Sequence, residues 1–305
     1  MKKILGLGIM LLLIAMGFSA IAKAEMANKA HPPIVGSGAG IKNVEVRFDH
    51  FYCIKDKLID GNDSVSDSTD KEITVHKDLL RLYYGLSKNF MLIGFIPSFN
   101  KNMEMKDSTG AIIEKEATGL GDIELRGKYR FLKQSPNGPW LSMAVGGGIK
   151  FATGVDDEEY NGAPLPASFQ PGSGSTDYVL SLLATKKFPS FYLHSNILYQ
   201  VCTEGSQDYE FGNKFKYNLS MVRPMTRSID LTLELNGSYA SKDEQNDSTI
   251  DNTGGNEIFV SPGIKFFPIS KLAIAAAVSI NVWRDLNGPQ SATDWKAVVG
   301  AYYDF

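Results

Sequence analysis

Residues Gly121 to Phe131 read GDIELRGKYRF, in which Asp122, Glu124, Arg126, Lys128 and Arg130 alternate with Ile123, Leu125, Gly127, Tyr129 and Phe131. Successive side chains of a strand point to opposite faces, so this segment is a strand with one charged and one apolar face; a helix would scatter the charges around its axis. The same period returns downstream. Phe215, Tyr217, Leu219 and Met221 alternate with Lys214, Lys216, Asn218 and Ser220, and Leu231, Leu233 and Leu235 alternate with Asp230, Thr232 and Glu234. Ile258, Val260, Ile264 and Phe266 keep the period in a later stretch, as do Val299, Ala301, Tyr303 and Phe305 at the end of the chain.

Extended over the whole chain, the pattern predicts twelve strands, near 43–52, 74–84, 90–99, 119–132, 140–151, 176–186, 191–202, 213–225, 229–240, 256–267, 271–283 and 295–305. The second is the least regular, because Lys77 and Asp78 interrupt its alternation. The connections alternate too. Those at 53–73, 100–118, 152–175, 203–212, 241–255 and 284–294 are long, and those at 85–89, 133–139, 187–190, 226–228 and 268–270 are short. Short periplasmic turns alternating with longer extracellular loops mark a transmembrane β-barrel, and an even strand number puts both termini on the periplasmic side. The strands are long enough for a tilted bilayer crossing of about 9–11 residues. Aromatic residues gather at strand ends: Tyr83, Tyr84, Phe90, Phe131, Trp140, Phe188, Phe191, Phe266 and Phe267 on the turn side, and Phe99, Phe151, Tyr178, Tyr199, Phe215, Tyr239, Trp283 and Trp295 on the loop side. Two aromatic belts at headgroup level fit a membrane barrel. The alternative is a soluble barrel or sandwich with the apolar face turned inward; strand length and belts favour the membrane. The expected fold is all-β, a transmembrane antiparallel up-and-down β-barrel of about 12 strands.

Composition agrees. Of 305 residues, 43% are hydrophobic and 21% charged, as in ordered proteins, and a formal charge of −3 without a basic run argues against nucleic-acid binding. Two cysteines make neither a disulfide scaffold nor a four-cysteine zinc site. Lys2 and Lys3, the apolar run Ile4 to Phe18 and the small-x-small site Ala22-Lys23-Ala24 read as a signal peptide, too short to span a bilayer. The expected organisation is a signal peptide over 1–24, a segment over 25–42 that hangs in the periplasm or enters the lumen, and a barrel over 43–305.

Turning the polar phases inward gives the pore-lining candidates Arg47, Arg81, Asp122, Glu124, Arg126, Lys128, Arg130, Lys150, Lys214, Lys216, Asp230, Glu234 and Lys265, with Glu45, Asp49, Asp177, Glu257, Lys296 and Asp304 beside them. Such charges set selectivity in a water-filled pore; their near balance of sign predicts no strong preference for anions. The long loops are acidic, as at Asp60, Asp63, Asp67, Asp156, Asp157, Glu158 and Glu159, which reads as a solvated surface or as divalent-cation bridging to lipopolysaccharide. DGNDSVSDSTD fails the calcium-loop pattern for want of its terminal Glu. No catalytic, cofactor-binding or metal-binding residue is expected. His194 and Ser195 are adjacent in a strand and point to opposite faces, and no Gly-x-Ser-x-Gly elbow occurs. A disulfide between Cys53 and Cys202 would have to cross the barrel mouth.

The last strand, VVGAYYDF, resembles the C-terminal signal of Gram-negative outer-membrane proteins, which implies insertion by the barrel-assembly machinery. Gly119-Leu120-Gly121-Asp122 leading into Lys128-Tyr129-Arg130-Phe131-Leu132, followed by Pro171-Gly172-Ser173-Gly174-Ser175-Thr176-Asp177, resembles the outer-membrane transporter family named for the meta-pathway of phenol degradation. That resemblance implies passage of small compounds, often aromatic. The expected function is passive diffusion of small solutes, aromatic or hydrophobic ones among them, across an outer membrane whose lipid and lipopolysaccharide surround the barrel. The alternatives are a structural or adhesive surface barrel with a closed lumen and, behind it, a lipid hydrolase.

Overall fold

The computed structural model describes residues 38–41, 43–133 and 141–305; the expected signal peptide, Trp140 and most of the turn at 133–139 lie outside them. Twelve antiparallel strands close into a barrel. They are β1 (Val44–Lys55), β2 (Glu72–Gly85), β3 (Phe90–Lys106), β4 in two pieces (Ile112–Leu120 and Glu124–Leu132), β5 (Leu141–Lys150), β6 (Asp177–Lys187), β7 (Tyr192–Val201), β8 (Lys214–Pro224), β9 (Ile229–Ala240), β10 (Gly255–Ile269), β11 (Leu272–Ala292) and β12 (Trp295–Asp304). Each strand pairs with its chain neighbours, and β1 pairs with β12 from Glu45↔Asp304 to Cys53↔Lys296, which leaves the wall without a free edge. Closure matters because an unpaired backbone group in hydrocarbon costs several kcal/mol, roughly.

Phe48, Leu125, Leu180, Ile197, Leu219, Ile264 and Val299 are exposed on the outer face and form its apolar band. Their neighbours in sequence turn into the lumen, where most are buried. Tyr178, Tyr199, Phe215, Tyr239, Trp283 and Trp295 are exposed at the loop-side rim, as the belt requires. Three belt residues expected from sequence face inward instead. Tyr83 and Phe267 are buried in the lumen, and the Phe99 ring lies under two lysines.

The strands run past their expected ends on the loop side. β3 continues to Lys106 and pairs with Ile112–Leu120 across most of the connection expected at 100–118, and β11 continues to Ala292. Ser98, Asn100, Asn102 and Glu104 occupy the outer phase there. Above the bilayer both faces of a strand meet water, so the apolar half of the period disappears while the pairing persists. In β2, Lys77 faces inward; Asp78 faces outward and bonds the His50 ring at 2.8 Å. The charge pair that disturbs the sequence pattern is thus one residue on each face. Cys53 and Cys202 are both free thiols.

β4 breaks at Gly121–Ile123, and the chain of the following connection closes the gap: Phe151 N–H donates to the Ile123 carbonyl and Val155 N–H to that of Leu120, each at 2.8 Å.

Candidate functional site

Inward phases make the lumen polar along its length, but its two halves differ. In the turn-side half Glu45, Arg47, Asp49, Arg81, Asp230, Glu234 and Lys265 are all 3% exposed or less. Arg47 pairs with Glu45, and its guanidinium lies 4.9 Å from the Tyr83 ring centre and 4.7 Å from that of Tyr302. Lys265 lies over the other neighbour of that stack, 5.4 Å from Tyr302 and 5.8 Å from Phe267. Arg81 Nε donates to Asp49 at 3.0 Å, and Asp230 stands opposite Lys265 in register. A buried charge survives only when paired and hydrogen-bonded. Here each cation meets a carboxylate, an aromatic face or both, and all seven side chains are shut off from solvent.

A chain segment completes the closure. Gly38–Ile41 lies inside the barrel, where Lys128 Nζ donates to the carbonyls of Gly38 (2.9 Å) and Gly40 (2.6 Å). The Ala39 N–H donates to Thr185 Oγ1 at 3.0 Å, and Thr185 meets His194 Nδ1 at 3.0 Å. Ala39 packs on Ala144 and Leu183, and Ile41 on Tyr83, Met91 and Ile93. A Cβ on Gly38 would stand 2.5 Å from Thr185 Oγ1 and 2.6 Å from His194 Nδ1, so only glycine fits at that point. Gly38–Ile41 are the described residues of the segment expected over 25–42.

The loop-side half is more open. Lys216 faces the lumen from β8 and is exposed there; Lys77, Lys101, Lys214 and Lys296 are half-buried. Lys77, Arg126 and Lys216 come from β2, β4 and β8 and are near enough to act on one another electrostatically. Arg126 binds Glu124 in a bidentate pair, with Nε and Nη2 donating to one carboxylate oxygen each, and lies 4.6 Å from the Phe95 ring centre. The missing side chains of Gly146 and Gly148 on β5 make room: a Cβ on Gly148 would stand 2.5 Å from Arg126 Cγ.

The two sequence motifs meet at the rim of this half. Asp122 Oδ2 accepts from Lys150 Nζ (2.9 Å), from the Ser173 N–H (3.0 Å) and from the Ser173 hydroxyl (2.6 Å), while Oδ1 accepts from the Gly154 N–H (3.0 Å). Lys150 also reaches Asp177 at 3.1 Å, and Asp177 accepts from Ser175 at 2.9 Å and from Gln200 at 2.8 Å. The backbones of Gly154 and Gly172 touch so closely that a Cβ on either would fall 2.6 Å from the other's backbone. This knot turns the 152–175 connection inward. Leu165 and Phe169 then bury against Met103 and Ala117 on the inner face of the β3–β4 hairpin, with Lys101 Nζ donating to the Gln170 carbonyl at 2.7 Å. Gln207 Nε2 donates to the Leu165 carbonyl at 3.0 Å, tying in the next loop. In that loop the Tyr209 hydroxyl donates to Asp243, and burial with that carboxylate holds its phenol well above the usual range.

The structure distributes the thirteen residues expected to line a pore. Arg47, Arg81, Lys128, Asp230, Glu234 and Lys265 belong to the closed half, and Glu124, Arg126, Lys214 and Lys216 to the open one. Asp122 and Lys150 build the knot, and Arg130 reaches the turn after β2, where its guanidinium donates to the Lys88 carbonyl. Sequence reading missed two lumen lysines. Lys77 lay in the irregular strand, although Lys77, Leu79, Arg81 and Tyr83 share its inward phase; Lys101 lay in what reads as a loop.

Residues 60–295 match the family described as "Putative MetA-pathway of phenol degradation". The barrel resembles the crystal structure of an outer membrane channel from Pseudomonas putida F1, with a TM-score of 0.67 at 13% identity, covering 93% of this chain and 100% of that one. Fainter likenesses join it to the NanC porin (TM-score 0.48, 7% identity, 86% of this chain and 100% of that one) and to the beta domain of the Bordetella autotransporter BrkA (0.49, 10%, 87% and 100%). At such identities the likeness is one of fold alone. No curated protein matches the chain.

Proposed function

This chain belongs to the family described as "Putative MetA-pathway of phenol degradation", and from that premise we propose that it is an outer-membrane channel through which small solutes diffuse passively. The observation that carries this reading is the make-up of the lumen: a polar, water-accessible loop-side half above a closure that includes a strap of main chain, Gly38–Ile41, separate from the wall. A plug held by hydrogen bonds and packing contacts can leave without breaking the barrel, whereas wall side chains cannot. The lumen charges of both signs, including Arg126, Lys128, Glu124 and Glu234, offer weak contacts at several points, as conduction needs. A twelve-stranded ring is narrower than the wide porins of 16–18 strands, so the solutes are small. His194, buried against Thr185 and the strap, has no approach for a lipid ester, which favours a channel over a hydrolase.

We further propose that the protein sits in a Gram-negative outer membrane, exported by its signal peptide, inserted by the barrel-assembly machinery and surrounded by lipid and lipopolysaccharide. A second reading draws on the Arg47–Glu45 and Arg81–Asp49 pairs, which would also hold a permanently closed surface barrel. Single-channel recording of the refolded mature chain separates the two. Stable current steps with a measurable ion preference support the channel. A silent barrel that still shows heat-modifiable gel migration would leave the surface role.

A further inference from the structure

We propose that the loop-side half of the lumen binds aromatic carboxylates, recognising ring and charge together; the proposal deepens the channel reading and rests on it. Its core is Lys77, Lys101, Phe51 and Phe99. Lys77 Nζ lies 5.8 Å from the Phe51 ring centre and 5.3 Å from that of Phe99, while Lys101 Nζ lies 5.2 Å from the Phe99 ring centre. The motif recurs on the adjoining wall, where Lys296 of β12, opposite Cys53 of β1 in register, has its Nζ 4.0 Å from the Phe259 ring centre.

The accounting of charge points to an anion. Ion pairs on the lumen wall use Arg47, Arg81, Arg126 and Lys150 among their cations. Among the described residues, none uses Lys77, Lys101, Lys216 or Lys296. In the open half Glu124 is held by Arg126 and Glu257 stands near enough to Lys296 to act on it, so Lys77, Lys101, Lys214 and Lys216 remain as an excess of ammonium groups. A near balance of charge in the sequence conceals this segregation. A lysine on an aromatic face has lost part of its water, and a carboxylate that reaches it makes a charge-assisted hydrogen bond. Lys101 already donates to the Gln170 carbonyl at 2.7 Å, which holds it in place and leaves two of its three donors.

The accounting of apolar surface points to a ring. Phe51 and Phe99 are half-buried and give a polar compartment aromatic surface for a second ring to meet. A neutral phenol would satisfy the rings and leave the ammonium groups unanswered; acetate would do the reverse. Benzoate has both parts.

The test is titration of the refolded mature chain in detergent with benzoate, acetate and phenol, followed by saturation-transfer NMR, with single-channel recording alongside. Benzoate is expected to bind, and acetate and phenol each to bind at least about tenfold more weakly, the worth of one charge-assisted contact. Changing Lys77→Gln and Lys101→Gln together should weaken benzoate by about the same factor. Phe99→Leu should weaken benzoate and leave acetate unchanged; heat-modifiable migration reports that each variant is folded. Equal affinity for benzoate and acetate, equal affinity for benzoate and phenol, or benzoate binding unaltered by the double change would overturn the proposal. Current steps without benzoate binding remove this site and leave the channel standing; benzoate binding by a silent barrel removes the channel and leaves the site.

Discussion

Ser173 gives Asp122 both its N–H, at 3.0 Å, and its hydroxyl, at 2.6 Å, across 51 residues of chain. With the Gly154 N–H and Lys150 on the same carboxylate, this contact decides where the 152–175 connection goes. Asp122→Ala should remove the acceptor that gathers Ser173, Gly154 and Lys150, and leave Asp177 as the one carboxylate on Lys150. The expected cost is on the order of 3 kcal/mol in urea unfolding. Limited proteolysis should then cut between residues 155 and 170, a stretch resistant in the parent; an uncut loop would show that the apolar contact of Phe169 with Met103 suffices.

Two of the elements that meet here were visible in the sequence, and their meeting was not. GDIELRGKYRF announces its own strand because adjacent side chains report opposite environments, a relation confined to neighbours. The hydrogen bond from Ser173 to Asp122 joins positions with no periodic relation, and nothing in either motif fixes the partner. Lys101 shows a second limit: polar residues outside β3 erase the apolar phase where the strand leaves the bilayer, so the pairing continues unmarked. Lys77 and Asp78 show a third, since two adjacent charges give no sign of which one faces lipid until the Asp78–His50 contact settles it.

Arg81 and Asp49 are buried together, with side chains 3% and 0% exposed. Arg81→Ala abandons a buried carboxylate and should destabilise the barrel by about 3–5 kcal/mol in denaturant titration. Adding Asp49→Asn should restore much of the loss, because the cost lies in the stranded charge. No recovery in the double variant would place the stabilisation in the packing of the arginine side chain and not in the stranded charge.

Lys128 is the anchor of the strap. Lys128→Gln, or Gly38→Val, whose side chain has no space beside Thr185 and His194, should release Gly38–Ile41 from the lumen. In planar bilayers either variant should show a larger or longer-lived open step than the parent. Unchanged currents would mean that the Arg47–Tyr302–Lys265 layer alone limits flow.

Cys53 lies on the inward phase of β1, opposite Lys296 in register, while Cys202 is buried. Both thiols should titrate in the unfolded chain. In the folded barrel an anionic thiosulfonate should modify Cys53 faster than a cationic one of similar size, and Cys202 should resist both. Equal rates would argue that the open half carries no net positive potential.

Leu219 is exposed at the outer surface of β8. Leu219→Arg should cost about 2–4 kcal/mol of barrel stability in lipid, as a cation facing hydrocarbon does. Lys216→Arg, three residues away on the opposite face, should cost little. Similar tolerance at both positions would reverse the inside and outside of the strand.

The strap is also a tethered ligand. From Ala39, against Ala144 and Leu183, to Val44, already paired in β1, the chain has five residues, a reach of about 17 Å when extended. A binding partner on so short a leash faces its site at an effective concentration of about millimolar or above. Contacts that would be too feeble to hold a free peptide therefore keep the passage occupied, and resealing proceeds at a rate independent of how much protein is present. Any solute that passes competes with this built-in occupant, so its flux depends on its affinity relative to four residues of the protein's own main chain.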